Sequence, residues 1–216
     1  MGRIERKKFK RQNSFLDAGG IKVAFMGAEA SGKSSIVKRL VSGIFFDDYQ
    51  PTVFEFYNYE TTFNNTHRFC LQISDTAGSF SFPAMDRLTI QKSDVIVVVF
   101  DLTSLNSLKR AEGLIMIIKN ENPNKPILVV GNKSDLPHSV AFKMSLHQRL
   151  SFSNQHTYFE TSVKFNENAG HDLIKMIVEE FALSKGPFVV TQSQKPLSVK
   201  LLKKFAESAE NLLDLF

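Results

Sequence analysis

Cysteine, long apolar runs and internal repeats are scarce or absent in this sequence of 216 residues. The single cysteine, Cys70, has no partner for an internal disulfide, which fits a reducing compartment. The longest apolar run, residues 95–100, is far too short to span a bilayer. The N-terminus is charged and lacks an apolar region, so we expect no secretory signal. The length predicts one domain with short extensions.

Net charge is also absent from most of the chain. The sequence contains 27 basic and 22 acidic residues, a net charge of +5. Residues 1–11 hold six bases and one acid, and the remaining 205 residues hold 21 of each sign. Such a basic arm suits an anionic membrane surface, nucleic acid or an acidic partner. The alternative is a solvated, disordered tail, and composition alone does not decide between them.

Four short apolar runs have strand length, and helix-like segments lie between most of them. The runs are residues 21–26, 69–73, 95–100 and 127–130. Alternation of this kind predicts an α/β fold with a mostly parallel sheet and helices on both faces. Residues 55–74 instead read as two strands joined by an Asn64-Asn65 turn, which predicts one antiparallel strand. A strand at residues 158–160 brings the predicted sheet to six strands, and a helix over about 168–183 follows it.

A phosphate-binding pattern, G-x-x-x-x-G-K-[ST], occupies residues 27–34 between a predicted strand and a predicted helix. Backbone N–H groups of such a turn bind phosphate oxygens at the helix N-terminus. Lys33 would contact the β- and γ-phosphates, and the Ser34 hydroxyl would bind Mg²⁺. A chance glycine turn is the alternative, which the strand–turn–helix context disfavours. The motif alone does not name the base or the reaction.

A second polar motif, Asn132-Lys133-Ser134-Asp135, follows the apolar run at residues 127–130. It resembles the N-K-x-D guanine motif of small GTPases. A carboxylate at Asp135 would accept hydrogen bonds from guanine N1–H and the 2-amino group. Adenine has no such donor pair, so ATP would leave Asp135 unpaired. A polar turn after a strand is the alternative, which the phosphate loop about 100 residues earlier disfavours.

Three further segments resemble elements of the same family. Residues 75–78, Asp-Thr-Ala-Gly, resemble the D-x-x-G element, which implies Asp75 behind Mg²⁺ through a water and the Gly78 amide at the γ-phosphate. Residues 161–164 stand where the family has its S-A-K turn, with Val163 in place of alanine.

The segment at residues 45–52 resembles the first switch segment of that family. The resemblance implies that Phe45 packs on guanine and that Thr52 is the second protein ligand of Mg²⁺. Pro51 precedes Thr52 and constrains the loop.

All five elements occur in family order within residues 21–183, so the chain resembles the Ras-like small GTPases. Residues 82–88 are similar to a segment of the Dexras, Rhes and Di-Ras branch, and we place the chain nearest that branch. The resemblance implies the P-loop NTPase fold, GTP or GDP as ligand and Mg²⁺ as cofactor. We expect a flexible basic arm at residues 1–20, a GTPase domain at 21–184, and a linker with a C-terminal helix at 185–216.

The site residues implied by these motifs fall into three groups. Those expected to bind nucleotide are Gly27, Glu29, Ala30, Ser31, Gly32, Lys33, Ser34, Ser35, Phe45, Tyr49, Thr52, Asp75, Gly78, Asn132, Lys133, Asp135, Ser162, Val163 and Lys164. Those expected to hold the metal are Ser34, Thr52 and Asp75. Those expected to serve catalysis are Lys33, Thr52, Gly78 and Ser79.

The sequence departs from the family pattern at three places that bear on function. Ser79 stands where most Ras-like enzymes have the glutamine that orients the attacking water. Glu29 and Ala30 replace two glycines of Ras, which would place a carboxylate beside the γ-phosphate. Phe54 replaces an acid of the effector segment, so Ras effectors cannot be assumed.

The leading interpretation is a signal-transduction switch, a small monomeric GTPase that hydrolyses GTP slowly to GDP and phosphate. Its partners would be effectors and exchange factors that contact the switch segments. One alternative is a hydrolysis-deficient, GTP-bound module that recruits effectors, which Ser79 and Glu29 favour. Another is a P-loop kinase or ATPase, which Asp135 disfavours.

The two ends of the sequence bear on location. The C-terminus has no cysteine for prenylation, and Arg6 stands where a myristoylation signal needs serine or threonine. Apolar residues of 197–216 recur on one face at helical spacing, and balanced charges occupy the other face, which favours packing on the domain or a partner over a membrane. We expect a cytoplasmic protein whose basic arm makes weak peripheral contact with the inner face of the plasma membrane without lipidation, and no specific nucleic acid partner.

Overall fold

The computed structural model describes residues 20–47, 51–63, 67–78, 83–137 and 156–184. The basic arm, the Asn64-Asn65 turn, Tyr49, Ser79 and the C-terminal segment lie outside these residues. The strands are β1 Ile21–Gly27, β2 Phe54–Phe63, β3 His67–Thr76, β4 Val95–Asp101, β5 Ile127–Asn132 and β6 Thr157–Glu160. The described helices are α1 Lys33–Ser42, α2 Pro83–Lys92, α3 Leu105–Glu121 and α4 Ala169–Ser184.

The six strands form one sheet in the order β2-β3-β1-β4-β5-β6. The β2–β3 pair is antiparallel, and the other four pairs are parallel. This topology confirms the predicted α/β fold with one antiparallel strand. None of the helices in the described ranges combines the length and apolar character needed to cross a bilayer.

The central strands read as continuous apolar runs because helices cover both faces of the sheet. Side chains alternate between the faces of β1. Val23 and Phe25 belong to a buried cluster with residues of α1 and α4. Ala24 and Met26 belong to a second cluster with residues of α2 and α3. Each large side chain buried in this way contributes roughly 1.5–3 kcal/mol, so the core holds the strand ends in fixed positions.

The strand register brings the polar motifs to one edge of the sheet. Phe25 of β1 pairs with Asp75 of β3, and Asp101 of β4 pairs with Asn132 of β5. These residues lie at or near the carboxyl ends of parallel strands, where ligands bind in open α/β sheets. The fold therefore gathers motifs that are far apart in the sequence.

Candidate nucleotide-binding site

A cavity of about 770 Å³ lies at this edge of the sheet. The predicted residues that line it are Glu29, Ala30, Gly32, Lys33, Ser34, Ser35, Phe45, Thr52, Gly78, Asn132, Lys133, Asp135, Ser162, Val163 and Lys164. Gly27, Ser31 and Asp75 are not among the lining residues, and all three are buried. Tyr49 and Ser79 lie outside the described residues, so their places remain predictions. The structure thus gathers the phosphate, switch and guanine motifs around one space.

The phosphate loop runs from β1 into α1 and depends on a glycine at the start of that helix. Gly32 has a φ of 97°, a left-handed conformation that L side chains rarely adopt. A Cβ at this position would lie 2.1 Å from Asn132 Nδ2. Asn132 in turn donates from Nδ2 to the Ser31 carbonyl over 3.0 Å. The missing side chain at Gly32 therefore permits the contact between the phosphate loop and the guanine motif.

Lys33 is buried at the base of the phosphate loop. Its Nζ donates to the Ala28 carbonyl over 2.8 Å and to the Gly27 carbonyl over 3.2 Å. Burial lowers the pKa of Lys33 to about 8, although the carboxylates of Asp75 and Glu29 oppose that decrease. An anionic ligand beside Nζ would favour the charged form of this lysine.

The three predicted metal ligands occur in one part of the site. The hydroxyl oxygens of Ser34 and Thr52 lie 2.8 Å apart. Asp75 is fully buried, and neither of its carboxylate oxygens has a well-formed hydrogen bond in the structure. Burial raises the pKa of Asp75, while the Ser34 hydroxyl and Lys33 oppose the increase.

This oxygen-only set is chemically suited to Mg²⁺, which prefers hard oxygen ligands and usually keeps several waters. A buried carboxylate with unsatisfied oxygens is expected where an ion or its water completes the bonding. The described residues contain no group of three or more His, Cys, Asp or Glu side chains that could hold a metal. The fit therefore depends on the two hydroxyls together with Asp75.

At the guanine end, Asn132 joins the phosphate loop to the 161–164 turn. Its Nδ2 donates to Ser31, as above, and its Oδ1 accepts from the Val163 backbone N–H over 3.1 Å. The Ser134 backbone N–H donates to the Thr161 carbonyl over 3.2 Å. Three separate segments are thus bonded to one another around the cavity, which reduces their freedom before any ligand arrives.

Two lysines at this end are paired with carboxylates that the sequence analysis did not assign. Lys133 Nζ lies 2.7 Å from Asp101 Oδ2, and Lys164 Nζ lies 3.2 Å from Asp47 Oδ2. Lys164 Nζ also lies 6.0 Å from the centre of the Phe45 ring. A signal existed for Asp101, because it directly follows the apolar run of β4 at the edge where ligands bind. Asp47 lies within residues 45–52, the segment that resembles the first switch, but no motif identifies it as a site residue.

Glu29 and Gly78 meet at the opposite end of the cavity. A Cβ at Gly78 would lie 2.3 Å from both the Cα and the backbone N of Glu29, so only glycine permits this approach. Glu29 and Gly78 also line a neighbouring cavity of about 520 Å³, together with Arg110 of α3. Arg110 Nη2 lies 3.5 Å from Asp86 Oδ2 of α2. Charged side chains of the phosphate loop and of α3 therefore line the neighbouring cavity at this end.

Comparison with known proteins agrees with this geometry. Residues 22–182 match the model of the family described as Ras family. The GTP-binding protein Di-Ras2 of Mus musculus is 38% identical over 151 residues, which cover 68% of this chain and 75% of the relative. The GTP-binding protein drn-1 of Caenorhabditis elegans is 35% identical over 151 residues, covering 68% of this chain and 69% of the relative. The GTP-binding protein Rhes of Mus musculus is 35% identical over 182 residues, covering 77% of this chain and 65% of the relative.

Proposed function

The chain belongs to the Ras family, and from this premise we propose that it is a switch that binds GTP and GDP with Mg²⁺ and hydrolyses GTP slowly. The observation that carries the proposal is the shared cavity. A phosphate loop and a guanine motif line the same space, and Asn132 bonds one to the other. If the two motifs were a chance glycine turn and a chance polar turn, no hydrogen bond between them would be expected.

The phosphate end would hold the nucleotide's charge through groups already in place. Lys33 and the backbone N–H groups at the start of α1 would bind phosphate oxygens. The hydroxyls of Ser34 and Thr52 would ligate Mg²⁺, with Asp75 behind them. When bound, Mg²⁺ would neutralise part of the phosphate charge.

The guanine end would select the base through Asp135, which lines the cavity and is exposed. Its carboxylate would accept two hydrogen bonds from guanine. Phe45 would cover one face of the ring. Val163, whose backbone N–H already donates to Asn132 Oδ1, would lie against the base. ATP would be rejected, because adenine leaves the carboxylate without donors.

Slow hydrolysis is proposed from the other end of the site. Glu29 lines the cavity beside Gly78, where negative charge would build up on the γ-phosphate during transfer. Ser79, which replaces the family's water-orienting glutamine, is too short for that role. The same carboxylate favours the second candidate, a predominantly GTP-bound module that recruits effectors without appreciable hydrolysis.

Effectors and exchange factors would contact the switch segments, and the exposed surface there is partly apolar. Val53 is 77% exposed and Phe56 is 75% exposed. A partner that binds this surface would therefore differ from one that recognises two acidic side chains in the effector segment.

We also propose a cytoplasmic location, weak contact of the basic arm with anionic membrane, and the three-part division of the chain.

The proposed ligand is tested by competition at equilibrium. A fluorescent GDP would be displaced from the full chain by GTP, GDP or ATP, with Mg²⁺ present or chelated. GTP and GDP should compete similarly, ATP should be weaker by roughly 10⁴-fold, and chelation should accelerate GDP release. Equal competition by ATP and GTP would contradict the assignment.

A further inference from the structure

Asp101, the last residue of β4, lies beside the guanine motif without belonging to it. Its side chain is 13% exposed, and its Oδ2 is 2.7 Å from Lys133 Nζ. The two residues come from neighbouring parallel strands, because Asp101 pairs in register with Asn132. The Leu102 backbone N–H also donates to the Asn132 carbonyl over 3.0 Å. The sheet therefore sets the spacing of the carboxylate and the lysine.

The Asp101 carboxylate is held in place from its other side. Its Oδ1 accepts from the Thr103 backbone N–H over 2.8 Å and from the Thr103 hydroxyl over 2.7 Å. The Asp101 backbone N–H donates to the Ser107 hydroxyl of α3 over 3.0 Å. One oxygen is thus occupied by the turn, and the other is directed to the lysine. A carboxylate fixed in this way loses little entropy when it pairs.

Lys133 has a backbone conformation that its surroundings must hold. Its φ is 64°, in the left-handed region that costs a non-glycine residue free energy unless the surroundings enforce it. Lys133 lines the nucleotide cavity, and Asp101 lines the neighbouring cavity beside Glu29. The ion pair therefore joins one lining residue of each cavity, and its lysine precedes Asp135 by two residues.

We propose that Asp101 is a positioning residue for guanine recognition. It holds Lys133 in its left-handed turn, and that turn presents Asp135 to the edge of the base. The inference rests on the proposed function, because it assigns a role within the guanine site. This role differs from a general contribution to stability in one respect: loss of Asp101 should reduce the discrimination between guanine and other bases.

The test compares GDP with inosine diphosphate, which lacks the 2-amino group that Asp135 would bind. Dissociation constants would be measured on the full chain for wild type, Asp101→Asn, Lys133→Met and the double variant. Asp101→Asn should weaken GDP binding by about tenfold and should weaken inosine diphosphate binding less. In the Lys133→Met background the Asp101 substitution should have little further effect, because the ion pair is already absent.

Asp94→Asn is the matched control. Asp94 accepts from the Lys22 backbone N–H over 2.9 Å just before the opposite end of β4, far from the guanine motif. This variant should leave the ratio of the two dissociation constants unchanged. If Asp101→Asn does not fold, Thr103→Val removes one of the bonds that fix the carboxylate, and the ratio should shift in the same direction by a smaller factor.

The proposal is overturned if folded Asp101→Asn or folded Thr103→Val leaves the ratio of the two dissociation constants unchanged. It is also overturned if the effects of Asp101→Asn and Lys133→Met simply add. Failure of the proposed function would look different. In that case wild type would bind GDP no better than ADP, whatever residue occupies position 101.

Discussion

At the guanine end of the cavity, Asn132 and Lys133 are held by partners that are at least partly buried. At the phosphate end, Glu29 would add negative charge where a bound nucleotide would be most anionic. On the proposed function, the first end would hold the base. The second combines the buried Lys33 with a carboxylate that would oppose charge build-up on the γ-phosphate. From this contrast we expect that nucleotide recognition and nucleotide hydrolysis can be changed separately, by variants that act on one end of the cavity.

Asp135→Asn should give the largest effect, and it acts only at the guanine end. It replaces a charged acceptor pair by a mismatched amide, which should cost several kcal/mol of GDP binding, roughly 10³-fold. Preference should shift toward xanthine diphosphate, whose 2-oxo group needs a donor. Titration of both nucleotides measures this, with Ser134→Ala as control. Unchanged GDP affinity would remove the basis for the guanine assignment.

Gly78→Ala should have the next largest effect, at the phosphate end. The added Cβ would meet the Glu29 backbone at 2.3 Å, so the two segments must separate. GTP affinity should fall by roughly 10- to 100-fold while GDP affinity changes little, because only GTP carries the γ-phosphate. Gly113→Ala is the control, since a Cβ there meets nothing within 4 Å. A parallel loss of GTP and GDP would contradict the proposed placement of Gly78.

Substitutions at positions 29 and 79 test whether the phosphate end limits hydrolysis. Glu29→Gly with Ser79→Gln should raise the single-turnover rate by roughly 10-fold or more, and the double variant should exceed either single one. Glu29→Gln keeps the size and removes the charge, which separates the two causes. A rate that no combination increases would mean that hydrolysis is limited elsewhere.

The smallest expected effect is the pH dependence of the Asp101–Lys133 pair. Burial alone would raise the pKa of Asp101, but hydrogen bonds from Lys133 and Thr103 outweigh it and hold the pKa below its usual value. The stabilisation is therefore present above the unfolded pKa near 4 and is lost as the pH falls through the folded value. Asp101→Asn should lower the Tm by a few degrees at pH 7, with a smaller difference at pH 3. A difference that does not change with pH would exclude the charge as its source.

Much of this molecule is predictable because its signals are local. The apolar runs of β1, β4 and β5 end within a residue or two of the predicted positions, since buried parallel strands need continuous apolar sequence. The edge strand β2 is also close to its predicted position: it begins at Phe54, one residue before the predicted segment, and ends at Phe63, directly before the predicted Asn64-Asn65 turn. Here the local signal is the turn residues rather than an apolar run.

The ion pairs of the guanine end were not predicted, for a different reason. Asp101 and Lys133 are brought together by strand pairing, and Asp47 and Lys164 lie on segments still further apart in the sequence. With 22 acidic residues in the chain, nothing local marks which carboxylate pairs with which lysine. Motif residues can be predicted because their neighbours in the sequence identify them. The position of Asp101 after an apolar run marks it as a site candidate, but its pairing with Lys133 depends on strand order, which no local motif gives.

The most direct test of the account is the single-turnover rate of GTP hydrolysis by the full wild-type chain with Mg²⁺, with ATP as the control nucleotide. The account predicts tight GTP binding with a rate below that of a Ras-family protein that has the usual glutamine, and no turnover of ATP. A GTP rate equal to or above that of such a protein would contradict it, because some group other than Ser79 would then have to orient the attacking water.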